Sequence, residues 1–123
     1  IILVQYHAAT TAEKATMLHF LDGRVAAVIG THTKVMSADE RVTESGTAFI
    51  SDNGRVGSFM SVGGFDTETE IGKYRTQIPQ RSREAWDDPR IQGVVVSIDE
   101  KTKKAIKIEI VDEKVDVKKP QEA

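Results

Sequence analysis

The chain has 123 residues, with 17 Lys and Arg against 19 Asp and Glu, a net charge of −2, 39% hydrophobic and 29% charged residues, and no cysteine. That length allows one domain or part of one, and the composition is globular, not disordered. No stretch approaches the ~18 uninterrupted apolar residues of a membrane helix, no basic stripe marks a nucleic-acid surface, and neither a disulfide framework nor a thiolate metal site is possible.

Ile1-Ile2-Leu3-Val4 opens the chain as a β-branched run, the pattern of a strand buried on both faces inside a parallel sheet. No signal-peptide pattern follows it. Such a strand needs neighbours on both sides, so residue 1 is expected to lie in the middle of a larger fold. Thr10-Thr11-Ala12-Glu13 has the form of a capping box. It predicts a helix to about Asp22, with Ala15, Met17, Leu18, Phe20 and Leu21 on its apolar face and Gly23 ending it. Val25 to Ile29 reads as a second buried strand. Residues 1–29 are thus a strand–helix–strand unit, which implies parallel strands.

Gly30-Thr31-His32-Thr33-Lys34 is expected to be the loop leaving that strand. Val35 to Val42 is ambiguous between a turn and a short helical start. Thr47 to Ser51 reads as a short strand, followed by a glycine-punctuated loop from Asp52 to Gly64, long enough to suggest a functional loop or lid. Thr67 to Gln77 predicts a helix with Ile71 and Tyr74 inward. Val94 to Ile98 and Ala105 to Val111 predict a hairpin around Asp99-Glu100-Lys101-Thr102. One fold unit is expected over residues 1–111, with a charged tail at 112–123 that frays.

Three histidines are present. His7 follows the first strand and His32 the second, and in an open parallel sheet ligands bind where the carboxyl ends of strands converge. Two imidazoles there are either the start of a metal site or a pair of hydrogen-bonded loop histidines. His19, mid-helix, reads as a partly buried structural residue. Asp52-Asn53-Gly54-Arg55 can offer backbone N–H groups or the Arg55 guanidinium to a phosphate, or it is a turn whose glycines supply positive φ. Trp86 beside Asp87-Asp88-Pro89 reads as packing on a turn, and the charges from Lys101 to Lys107 as a solvated face.

Tyr6-His7-Ala8, Thr10-Thr11-Ala12-Glu13-Lys14, Leu21-Asp22-Gly23-Arg24-Val25 and Gly30-Thr31-His32-Thr33 together resemble the C-terminal half of the YmdB-like metallophosphoesterases. The resemblance continues through Ser37-Ala38-Asp39-Glu40-Arg41, Gly46-Thr47-Ala48-Phe49-Ile50-Ser51-Asp52, Gly54, Gly57, Ser61-Val62, Gly64, Gln77-Ile78-Pro79 and Gly93-Val94-Val95-Val96. It implies an α/β, calcineurin-like sandwich of two sheets flanked by helices. It also implies a centre of two divalent metals, with manganese or iron expected, that hydrolyses phosphodiesters such as cyclic nucleotides. His7 and His32 carry over as metal ligands. The family's carboxylates, asparagines and Asn-His pair belong to an N-terminal half, which the resemblance makes a required partner. A cytoplasmic location and a homo-oligomer are compatible expectations.

Two positions depart from the family. Gln5 and Ala9 replace the acidic residues that usually flank the first histidine, and Lys34 stands where the second histidine of the GTHTH motif belongs. An ammonium cannot ligate a metal and is unfavourable beside a dication. Lys34 therefore either reaches a substrate phosphate as a point charge or is a solvated side chain marking a lost ligand. The second possibility leaves open a non-catalytic relative that keeps the fold as a structural or interaction protein. On either reading, these 123 residues alone are expected to be inactive.

Overall fold

A computed structural model describes residues 1–117. The elements in chain order are β1 (Leu3–His7), α1 (Thr11–Leu21), β2 (Ala27–Thr31), β3 (Arg41–Val42), β4 (Ala48–Ile50), β5 (Val56–Ser58), α2 (Thr67–Thr76), β6 (Pro89–Ile98) and β7 (Ala105–Lys114). The described residues divide into two compact units, residues 1–55 with 92–111, and residues 56–91 with 112–117. The fold class is α/β with two sheets, as expected.

In the first unit the strand–helix–strand reading holds. β1 and β2 are parallel, with Leu3 opposite Ala27 and His7 opposite Thr31. β2 is also parallel to β4, and β3 returns antiparallel on β4, giving the order β1-β2-β4-β3. α1 starts where the capping box puts it. The Thr10 hydroxyl accepts from the Glu13 N–H at 3.2 Å, and the Glu13 carboxylate accepts from the Thr10 N–H at 2.9 Å. Gly23, at φ +74, turns the chain out of the helix, a conformation that glycine adopts without a Cβ penalty.

Alternation along the strands sorts the side chains onto two faces. Val28 and Phe49, opposite each other in register, face α1 and pack with Leu18, Val4, Tyr6, Met17 and Leu21. Ala27 and Ala48, also in register, face the other way and pack with Ala105, Val96 and Ile108 of the β6–β7 hairpin. Three alanines at that contact let the hairpin lie close to the sheet. The hairpin turn is closed by the Asp99 N–H to the Lys104 carbonyl at 2.9 Å.

In the second unit β5 pairs antiparallel with residues 89–91 of β6. α2 is capped by Asp66, whose carboxylate accepts from the Thr69 N–H, and ends on Gln77 in the left-handed region. An apolar groove of about 590 Å³ is lined by Val56, Phe65, Trp86, Ile91 and Val115.

Among the described residues β2 is the one strand neighbour of β1, and Ile1, Ile2 and Leu3 are exposed. Several expectations are corrected. β2 begins two residues later than predicted and runs through Gly30 and Thr31, extended by the ladder to Tyr6 and His7. The stretch after Val35 contains the two-residue strand β3, and the glycine-rich loop is interrupted by β5. No residue of α2 is buried, and its expected inward pair, Ile71 and Tyr74, is 43% and 80% exposed. On α1, Phe20 and His19 face solvent, and Lys14 takes a buried position. The segment expected to fray is strand as far as Lys114, tied by Arg90–Asp112 and Lys114–Asp88 ion pairs. The rest of that expectation, residues 118–123, lies outside the described residues. Among the described residues no helix is long and apolar enough to cross a membrane.

Candidate functional site

β1, β2 and β4 are adjacent and parallel, so their carboxyl ends share one edge of the sheet. His7 is the last residue of β1, His32 follows β2, and Asp52 lies two residues beyond β4. Topology alone therefore brings the two histidines together, as their strand-end positions predicted. Their imidazoles meet edge to face, with ring centroids 5.0 Å apart and His32 Nδ1 3.2 Å from His7 Nε2.

The other nitrogen of His7 is already engaged, since Nδ1 lies 3.0 Å from the Thr31 hydroxyl directly across the β1–β2 ladder. Fixing one ring nitrogen orients the imidazole, and the opposite nitrogen, Nε2, is hydrogen-bonded to His32 Nδ1. His32 is held in a conformation that L-residues avoid, at φ 138, which costs of the order of 1–3 kcal/mol and persists only where the surroundings impose it.

The loop around His32 is fixed from beneath. Asp52 and Lys14 are 2% and 1% exposed and form an ion pair at 3.4 Å. The same Asp52 carboxylate accepts from the Thr33 N–H at 2.8 Å and the Gly54 N–H at 3.1 Å. Gly30 is required by close approach, because a Cβ there would lie 1.9 Å from the Ser51 carbonyl oxygen and 3.0 Å from Cδ of Lys14. Beside this loop, Asp39 accepts from the Ser37 hydroxyl and from both the N–H and the hydroxyl of Ser51. Burial pushes the Asp39 carboxyl up, and those hydrogen bonds with the Arg41 charge outweigh it and hold it below the usual aspartate range. Glu13, at the start of α1, is held below the ordinary glutamate range by the Thr10 N–H and hydroxyl, with a smaller contribution from His32.

The contact between the two imidazoles is a hydrogen bond, as one of the two sequence readings had it, and its length is also the separation of two nitrogens on one metal. Two nitrogens bound to one metal at about 2.0–2.1 Å each lie roughly 3.0–3.4 Å apart, and His7 Nε2 and His32 Nδ1 are 3.2 Å apart. Two nitrogens are an incomplete donor set. Among the described residues no group of three or more histidines and carboxylates is placed to hold a metal ion.

Lys34 is exposed at the end of the same loop, in the left-handed region at φ 62, and its carbonyl accepts from the Arg55 guanidinium at 2.7 Å. Arg55 is thereby brought to the histidine loop. The backbone amides of the 53–55 segment are not free for a phosphate, which corrects that part of the sequence reading. The Asn53 N–H donates to the Gly30 carbonyl at 3.1 Å, that of Gly54 to Asp52, and that of Arg55 to the Gln92 side chain at 3.3 Å. Gly54, at φ +77, lies against the Gln92 side chain too closely for a Cβ.

Sequence reasoning missed Lys14 and Asp52. A signal was present. Lys14 precedes Leu18 by four residues, so both project from one helix face, and a cation on the buried stripe of a helix needs a buried anion.

The family model described as "YmdB-like protein" matches residues 1–111. Over 108 residues the chain is 44% identical to the 2′,3′-cyclic-nucleotide 2′-phosphodiesterase of Bacillus subtilis (strain 168), covering 88% of this chain and 41% of that protein. Among solved structures, a phosphatase from Mycoplasma pneumoniae superposes with a TM-score of 0.84 at 37% identity, covering 90% of this chain and 40% of that one. A hypothetical protein from Thermus thermophilus does so with a TM-score of 0.83 at 33% identity, covering 91% and 44%. The chain thus spans about two fifths of the length of the relatives it matches.

Proposed function

The chain belongs to the YmdB-like protein family, and from that premise we propose that it supplies His7 and His32 to the two-metal centre of a phosphodiesterase. The observation that carries this reading is the meeting of the two imidazoles at the carboxyl edge of β1 and β2, at the spacing of neighbouring ligands on one ion. The names of its relatives support a phosphoesterase activity, and the cyclic-nucleotide phosphodiesterase among them favours small phosphodiesters as substrates.

Divalent ions bound there, manganese or iron, would supply Lewis-acid polarisation of a phosphoryl oxygen. The chain's own residues hold and orient. Thr31 fixes the direction of the His7 ring, and the strained His32 backbone aims its ring at the same point. Lys34, exposed on that loop, adds a point charge for a substrate phosphate, and Arg55 is tied to it through the Lys34 carbonyl. The remaining ligands come from the part of the fold that this chain does not span. That part pairs with the open edge of β1, where the unpaired backbone and the exposed Ile1, Ile2 and Leu3 would take another strand.

A second reading has one observation in its favour. Lys34 replaces a family ligand, as expected of a relative that keeps the fold as a structural or interaction protein. The test is hydrolysis of a 2′,3′-cyclic nucleotide and of bis-p-nitrophenyl phosphate by the complete gene product with manganese. Turnover is expected, falling by about 10²-fold or more in His32→Ala, the scale on which loss of a transition-state stabiliser acts. A folded complete protein with no turnover would favour the second reading, and turnover indifferent to His32→Ala would remove His32 from the metal centre.

A further inference from the structure

Lys14 and Asp52 are the most buried charged pair among the described ion pairs. Burying two charges is expensive, and an apolar pair of similar volume often serves stability as well or better. Stability alone is therefore a weak reason for their presence. Their geometry offers a stronger one.

The carboxylate of Asp52 uses both oxygens as acceptors. Oδ2 takes the Lys14 ammonium at 3.4 Å and the Thr33 N–H at 2.8 Å, while Oδ1 takes the Gly54 N–H at 3.1 Å. Thr33 is bonded directly to His32, the residue at φ 138. Anchoring the Thr33 amide is one means of imposing that unfavourable backbone. On the other side of His32, Gly30 is pinned between the Ser51 backbone and the Lys14 stem, and its carbonyl accepts from the Asn53 N–H. The histidine is thus held from both sides by groups that converge on the Lys14–Asp52 pair.

We infer that Lys14 and Asp52 are positioning residues for His32. Asp52, with its charge balanced by Lys14, fixes the Thr33 amide and so directs the His32 imidazole at His7 and at the metal position. The part concerning the metal rests on the function proposed above; the part concerning the His32 backbone does not. An amide in place of the carboxylate cannot do the same work, because it offers one acceptor oxygen where two are used.

The experiment uses the complete gene product as wild type, Asp52→Asn, the double variant Lys14→Met/Asp52→Asn, and His32→Ala. Manganese affinity is measured by titration of the metal alone, and Thr33 amide exchange is followed in the metal-free protein. The double variant removes both charges together, so it avoids leaving one of them unpaired in the interior, and its unfolding midpoint is expected to stay near that of wild type. Its metal affinity should fall by about 10–100-fold, the usual cost of losing a group that orients a ligand, and its Thr33 amide should exchange at least ~10-fold faster. Asp52→Asn, which preserves side-chain volume, should show the same two losses. Wild-type affinity together with wild-type Thr33 protection in these folded variants would overturn the inference. If His32→Ala binds manganese as wild type does, the metal reading fails, and Thr33 exchange alone then decides whether the pair holds the loop.

Discussion

The two units are built on different balances of cover and exposure. In the first, both faces of the parallel sheet are covered at β2 and β4, and Phe49, Val28, Ala27, Ala48 and Ile50 are at most 1% exposed. In the second, α2 has no buried residue, and Val56, Met60, Tyr74 and Ile78 are all at least 60% exposed. A covered sheet fixes its loops, and the site follows from that. His7, His32 and Asp52 lie at strand ends whose register leaves them little freedom. The second unit relies more on ion pairs, with Asp88 held by Lys114 and Arg90. Substitutions should therefore be costly in the first unit and mild on α2.

The largest effect is expected at Gly30. A methyl group there would meet the Ser51 carbonyl, which is backbone and cannot rotate away. Gly30→Ala should cost about 5 kcal/mol or more, in the exceptional tail of single substitutions, and leave no cooperative unfolding transition in urea. Phe49→Ala comes next. Its ring fills the space between the sheet and α1, so truncation should cost about 3–5 kcal/mol, read from the shift in urea midpoint. A Phe49→Ala variant as stable as wild type would erase the contrast between the units.

The third effect is electrostatic. Asp39 and Asp88 both have depressed carboxyl pKa values, by different means. Burial works against Asp39, and neutral donors from Ser51 and Ser37, with a smaller contribution from the Arg41 charge, overcome it. Asp88 is held down by hydrogen bonds from the cations of Lys114 and Arg90. A folded pKa below the unfolded value gives stability that is present above about pH 4, the unfolded aspartate range. That stability is lost as pH falls through the lower folded value. Salt screens the exposed cations and leaves hydroxyl and amide donors in place. Carboxyl titrations by NMR should show the Asp88 pKa rising toward its ordinary value in ~1 M NaCl, where the screening length is only about 3 Å, and Asp39, for which the Arg41 charge is the smallest cause, moving much less. The smallest effect is on α2, where Tyr74→Ala should stay within about 0.5 kcal/mol of wild type, as for other solvent-facing positions.

Much of the first unit was legible in the sequence because its signals are local. The capping box at Thr10, the β-branched runs and Gly23 set the strand–helix–strand unit, and strand ends set the meeting of His7 with His32. The resemblance placed the rest of the chain in a family and marked Lys34 as a departure. What could not be read depended on partners distant in sequence. Lys14 is buried because Asp52, 38 residues away, lies against it. Phe20, Ile71 and Tyr74 are exposed because apolar spacing marks a face without saying what covers it. The Asn53 and Gly54 amides are taken because Gly30 and Asp52, distant or folded back, accept from them.

Whether His7 and His32 bind one ion is tested directly by anomalous scattering from manganese-soaked crystals of the complete gene product. An anomalous peak within about 2.0–2.2 Å of both His7 Nε2 and His32 Nδ1, ordinary metal–imidazole bonding distance, is predicted, with the Thr31 hydroxyl still on His7 Nδ1. Manganese bound elsewhere, with the two imidazoles remaining in contact with each other, would contradict it.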